Sequence, residues 1–224
     1  MRLLPVLPAI AVLALFASAP GVARAESGLT GAPILNRPVG ARSSGMGRAF
    51  TGVPGGAESV MYNPAGTGFQ RGTGVYLSYM NGFGGGQYGF AAAPVAIKKF
   101  VFTPAFLYYD SGSIDLRLSD GTRESVTAEQ DKVGMLSAAY APLKNLAVGG
   151  TIKFTSIDLA EAASVSLVHY DLGVLNRITD GLSFGAALLN SGDAVKFEEA
   201  GSPAPVTSRA GLSYRVELNP PNLL

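Results

Sequence analysis

The chain has 224 residues, 47% of them hydrophobic and 15% charged, with 29 Gly, no Cys and no Trp. Average proteins carry about 25% charged residues and about 7% Gly, so the balance here disfavours a water-soluble surface and fits a β-barrel in lipid. A formal net charge of +1 offers no basic excess for a nucleic-acid partner, and the lack of Cys excludes a disulfide framework.

The first element is a secretory signal peptide over residues 1–25. Arg2 supplies its charged start, residues 3–16 its apolar stretch, and Ala23-Arg24-Ala25 a small-residue cleavage site. Cleavage between Ala25 and Glu26 is expected. Pro5, Pro8 and the shortness of the apolar run argue against a spanning helix, which needs about 20 residues. Taking Arg2 and Arg24 from the 17 Lys+Arg leaves 15 against 16 Asp+Glu, a net charge of −1. No apolar run of 18 residues follows, so a mature chain in a membrane must cross as a barrel.

Residues 26–72 form a block rich in Gly, Pro and Ser with no hydrophobic period. From residue 73 to 224 the texture becomes two-residue alternation. Eight antiparallel strands are predicted, at 73–81, 87–96, 99–118, 122–142, 146–158, 163–176, 181–191 and 206–217. In the fifth, Leu146, Val148, Ile152 and Phe154 share one face, and Thr151, Lys153 and Thr155 the other. In the sixth, Val168, Tyr170, Leu172 and Val174 oppose His169, Asp171 and Gly173. The alternation suits a sheet on a soluble core or a barrel wall with lipid outside and a polar lumen. Length favours the wall, because membrane strands need about 9–11 residues whereas soluble strands have about 5–6. Asp120-Gly121 marks a hairpin between strands three and four. The compact AIKK, PLKN and RITDG turns alternate with NGFGG, SDGT, LAEA and a long loop after residue 191, which puts the three compact turns at one end and the other four loops, two of them also short, at the other. Eight of the tyrosines, Tyr88 and Tyr109 among them, fit either an interfacial girdle or an ordinary core.

Catalytic and metal chemistry have little to work with. The sole histidine, His169, has no Cys or second His to join in a zinc site or a nucleophilic pair. Asp110, Asp115, Asp120, Glu124, Glu129 and Asp131 gather around the long hairpin without the spacing of a calcium loop. Gly45-x-Gly47 lacks the third glycine and the strand–turn–helix setting of a dinucleotide loop. No cofactor, no metal and no enzymatic activity are expected.

Two stretches carry a family resemblance. NRPVGARSSGMGRAFTG followed by GAESVMYNPAG resembles the N-terminal signature of FadL-type and PorV/PorQ-type outer-membrane barrels. The matching positions are Ala41, Arg42, Gly45, Met46, Gly47, Ala49 and Phe50, then Ser59, Tyr62, Asn63, Pro64, Ala65 and Gly66. Residues 170–197 and 203–216 resemble a later region typical of the PorV/PorQ-type members. The resemblance implies an antiparallel transmembrane β-barrel whose N-terminal segment folds inside it as a hatch, with Gly45, Met46, Gly47, Asn63, Pro64, Ala65 and Gly66 as the gating motif. It implies passive transport of hydrophobic, fatty-acid-like molecules across the outer membrane or, alternatively, a non-transporting scaffold or cargo shuttle of a secretion system. The implied partners are outer-membrane lipid and either a hydrophobic ligand or a secreted protein cargo. Such barrels have about 14 strands, so eight strands ending at NPPNLL are expected to be a C-terminally truncated member. The family spacer carries an Asp-rich turn where this chain has VPGGAES.

Overall fold

The computed structural model describes residues 31–82, 85–117, 121–159, 163–196 and 201–216. The expected signal peptide, with its expected cleavage between Ala25 and Glu26, and Asp120 lie outside these residues. Among the described residues no helix is long and apolar enough to cross a membrane.

The wall is a single antiparallel sheet. Its strands are β1 (Tyr76–Asn81), β2 (Gln87–Ala92), β3 (Val95–Ile97) and β4 (Phe100–Asp110), followed after a small hairpin by β7 (Glu129–Leu143), β8 (Leu146–Leu159), β9 (Ala163–Arg177), β10 (Leu182–Gly192) and β13 (Thr207–Tyr214). The pairing order is β1-β2-β4-β7-β8-β9-β10-β13, with β3 beside β4. Every connection along the path joins sequence neighbours in the sheet, an up-and-down meander. Strands β4 and β10 have 11 residues, β8 has 14, and β7 and β9 have 15. At about 3.4 Å per residue and a barrel's tilt of about 45°, each spans the apolar band of about 25 Å that such a wall presents. Among the described residues β1 and β13 do not pair with each other, so the wall is open along that seam.

The two longest predicted strands, 99–118 and 122–142, each break in two. β5 (Ser113–Arg117) and β6 (Arg123–Thr127) form their own two-stranded sheet beyond the wall. The break is built by side chains. Asp110 Oδ1 accepts from Gly112 N at 2.8 Å, and Ser111 Oγ accepts from Glu129 N at 2.8 Å, while Gly112 takes φ +84°. These bonds replace ladder bonds and turn the chain, which a period-2 pattern does not register. A second pair, β11 (Val195–Lys196) and β12 (Gly201–Ser202), lies within the long loop before β13.

The alternation is inverted relative to a soluble sheet. On the convex face Leu77, Phe100, Phe106, Leu136, Phe154, Leu172, Leu212 and Tyr214 are all exposed, Leu172 at 61% and Tyr214 at 73%. On the concave face Thr103, Ser137, Thr151, Lys153, Thr155, His169, Asp171 and Ser183 are buried. A soluble monomer rarely exposes a contiguous apolar patch beyond a few hundred Å², and here exposed apolar side chains come from β1, β4, β7, β8, β9 and β13. That arrangement is stable when the convex face meets hydrocarbon.

What the concave face covers is the irregular N-terminal block. It holds 3-10 turns at Pro33–Asn36, Ala57–Met61 and Pro64–Phe69 and one helical turn, α1 (Ala41–Gly45). The first strand begins at Tyr76, after the block. The inner wall is therefore not uniformly polar. Towards the loop end, Phe90, Leu107, Val133, Met135, Ile157 and Leu167 form an apolar layer that packs on Ile34, Leu35, Val39, Val60 and Met61. Tyr88 belongs to this core and Tyr109 packs against it, whereas Tyr79, Tyr140, Tyr170 and Tyr214 are exposed on the outer side. The tyrosines thus divide between the core and the outer face.

Candidate functional site: a hatch seated on a glycine track

The NPAG run is the point of closest approach between block and wall. Asn63 caps the Pro64–Phe69 turn, its Oδ1 accepting from Ala65 N at 3.1 Å, and Pro64 fits the first helical position because its missing N–H is not needed there. The same side chain spends its two amide protons elsewhere. Asn63 Nδ2 donates to Thr51 O at 2.8 Å and to Val174 O of β9 at 3.0 Å. Asn63 is 1% exposed, so one residue caps a turn, braces the hatch and ties it to the wall. Ala65 packs with Ala147 and Leu175, and Thr67 Oγ1 closes the turn on Pro64 O at 2.8 Å.

The wall receives this run on glycine. Gly149 of β8 stands opposite Gly173 of β9, and Gly185 of β10 opposite Gly211 of β13. All four point inward. A Cβ at Gly149 would lie 2.7 Å from Ala65 N and from the Pro64 carbonyl carbon. At Gly173 it would strike the Asn63 side chain, and at Gly185 the Thr51 carbonyl. The approach is mutual at β13, where a Cβ on Gly52 of the hatch would lie 2.5 Å from Gly211 O. Here glycine serves by having no side chain, because backbone packs on backbone. Ser183 Oγ adds a bond to Gly52 O at 2.7 Å. This track was not singled out from sequence. Its signal was available, since each glycine falls on the polar phase of its strand, level with Thr151, Asp171, Ser183 and Arg209.

A second anchor holds the hatch near β1. Glu58 is 3% exposed, and its Oε1 accepts from Ser43 N at 3.2 Å, Ser43 Oγ at 3.1 Å and Tyr76 OH at 3.3 Å. This single carboxylate supplies polar anchoring within the spacer VPGGAES. Beside it Phe50 and Tyr62 pack at 5.6 Å between ring centres, and Tyr62 OH accepts from Val39 N at 3.1 Å.

The gating motif read from sequence separates into two parts. Asn63, Pro64, Ala65 and Gly66 are buried at the wall. Gly45, Met46 and Gly47 are exposed, with open space where a Cβ would stand on either glycine. Gly47 has φ +60° and lets the chain leave α1, while Met46 borders a cavity of about 280 Å³ shared with Leu182 and Tyr214. The structure does not bring the two parts together.

Above the glycine track lies a buried ionic cluster. Lys153 and Asp171 are both sealed from solvent and pair at 2.8 Å. Lys153 Nζ also donates to Asn190 Oδ1 at 2.7 Å, and Asn190 N to Asp171 Oδ1 at 2.7 Å. Asn190 sits at a register shift in β10 with φ +59°, the left-handed conformation that Asn tolerates better than most residues. His169 Nε2 contacts Asp193 O at 3.0 Å. Among the described residues no group of three or more His, Cys, Asp or Glu is placed to hold a metal.

These features define the class: an antiparallel transmembrane β-barrel wall, open on one side, around an irregular N-terminal hatch. No family model matches the chain, and no curated protein matches it. Among solved structures it is similar to a TodX deltaS2S3 mutant monoaromatic hydrocarbon channel, at 12% identity and a TM-score of 0.40, over 73% of this chain and 61% of that one. The chain thus spans less than two thirds of that channel's length.

Proposed function

We propose that the chain is a FadL-type outer-membrane barrel protein that lets hydrophobic small molecules cross passively past the hatch, with no enzymatic step. One observation carries this reading. The inner layer of Phe90, Leu107, Val133, Met135, Ile157 and Leu167 is apolar where a water-filled pore would be polar. Displacing Ile34, Leu35 and Val60 from that layer opens a route suited to an apolar solute, and the Gly47, Gly55 and Gly56 backbone supplies left-handed positions at which the hatch can bend. Outer-membrane lipid is the partner of the convex face. The tight seal favours a second reading, a non-transporting scaffold or cargo shuttle of a secretion system, in which the hatch never moves.

The chain has no native cysteine to interfere with a test. Glu58→Cys with Tyr76→Cys, bridged by a short reducible cross-linker, locks the hatch to β1. In proteoliposomes the locked protein is expected to pass a hydrophobic probe no faster than empty vesicles, and to regain passage on reduction. Passage that ignores the lock contradicts a moving hatch, and passage that is absent throughout selects the scaffold.

A further inference from the structure

The ends of the wall differ in charge, and the turn end carries a groove. Its cationic members are Arg71 after the hatch, Lys98 and Lys99 between β3 and β4, Lys144 between β7 and β8, and Arg177 at the end of β9. Together they border an open space of about 920 Å³. The carboxylate in its lining is Asp180, which lies 3.8 Å from Arg177. Lys99 Nζ donates to Pro142 O at 3.1 Å. Among the described residues neither Lys98, Lys99 nor Lys144 pairs with a carboxylate. The loop end carries both signs, with Asp110, Asp115, Glu129, Asp158 and Asp193 beside Arg117, Arg123, Lys132 and Lys196.

The groove also has apolar lining, from Phe69, Leu143 and Ile178. Its rim continues onto the lipid-facing surface. Leu143 is exposed, and just above it Phe100 stacks on Tyr140 at 4.7 Å between ring centres, with Phe102 alongside at 6.2 Å from Phe100. Stacked aromatics at a strand end mark the hydrocarbon–water boundary. Unpaired cations on the aqueous side of that boundary, with an apolar lining, match an anionic headgroup attached to acyl chains. A soluble acidic protein would find cations but would leave the aromatic rim without a role.

We propose that the turn-end groove of Lys98, Lys99, Lys144 and Arg177 binds the phosphate headgroup of an anionic phospholipid, which fixes how the barrel sits across the bilayer. The proposal rests on the reading of the convex face as lipid-facing, and the experiment separates the two. Purified full-length protein is incubated with phosphatidylcholine vesicles, then with vesicles containing phosphatidylglycerol, and co-flotation and lipid retained per protein are measured. The wild type is expected to enter both and to retain phosphatidylglycerol at least about tenfold in preference, as three or four cations at an anionic surface imply. The combined Lys98→Gln, Lys99→Gln, Lys144→Gln variant alters exposed turn positions. It is expected to enter both vesicles equally well and to lose the preference. Free inorganic phosphate at millimolar concentration is expected not to displace the lipid. Equal retention of both lipids by the wild type, full preference in the variant, or displacement by phosphate alone overturns the proposal. Failure to float with either vesicle contradicts the lipid-facing wall itself, and the proposal with it.

Discussion

Gly185→Leu is expected to release the hatch while leaving the wall folded. A side chain at this position meets the Thr51 carbonyl and, at 2.8 Å, Asn63 Nδ2. The first is backbone and cannot rotate away, and the second is already committed to Thr51 O and Val174 O. Over-packing costs about 1–3 kcal/mol where neighbours can relax, and here the neighbours are a backbone and a cap. The wall has more to hold it than the hatch has, because its ladder is continuous over strands of up to 15 residues. The cost therefore falls on the docking of residues 51–66. Limited proteolysis in detergent reads this directly: new cleavage within the hatch, with the heat-modifiable mobility of a folded barrel retained. Gly134→Leu on β7 is the control, since nothing lies within 4 Å of a Cβ there. Unchanged protection in Gly185→Leu means that the glycine track is not the seat.

Asp171→Ala is expected to destabilise the wall by about 3–5 kcal/mol, because it strands a buried cation. Lys153 and Asp171 are both fully enclosed, so water cannot replace the lost partner. Asn190 loses the acceptor for its backbone N–H as well, and its left-handed conformation loses support. Lys153→Met with Asp171→Leu removes both charges together, and apolar replacement of a buried pair is often near neutral. Urea unfolding of the detergent-solubilised protein is expected to show a large drop in midpoint for the single variant and recovery of most of it in the double. Equal loss in both would mean that packing, and not charge pairing, holds β8 to β9.

The wall was readable from the sequence because a lipid-facing strand writes its environment every second residue. The phase of Leu146, Val148, Ile152 and Phe154 is the outward phase of β8, and that of Val168, Tyr170 and Leu172 the outward phase of β9. The hairpin at Asp120-Gly121 was readable but its separation from the wall as β5 and β6 was not, since the bonds that bend the chain at Asp110 and Ser111 leave the alternation on both sides intact. The hatch was readable as irregular but not as a shape. Glycines 45 and 47 and the Asn63-Pro64-Ala65-Gly66 run look alike as motifs, yet the first pair only turns the chain while the second docks it. Which glycine is conformational and which is a landing place depends on partners more than a hundred residues away, as in the bond from Asn63 to Val174. The inner apolar layer was missed for the same reason: Leu107, Val133 and Ile157 fall on the polar phase and become core only because the hatch lies against them.

The central claim is that the convex face of this wall is in lipid and the concave face on the hatch. Spin labels placed singly from Leu136 to Tyr140 on β7, in a chain with no cysteine of its own, test it in reconstituted bilayers. Leu136, Ala138 and Tyr140 are expected to be accessible to oxygen and shielded from a water-soluble nickel reagent, while Ser137 and Ala139 are shielded from both. A period of two in oxygen accessibility is the predicted result. Flat profiles, or nickel access at 136, 138 and 140, would contradict the account.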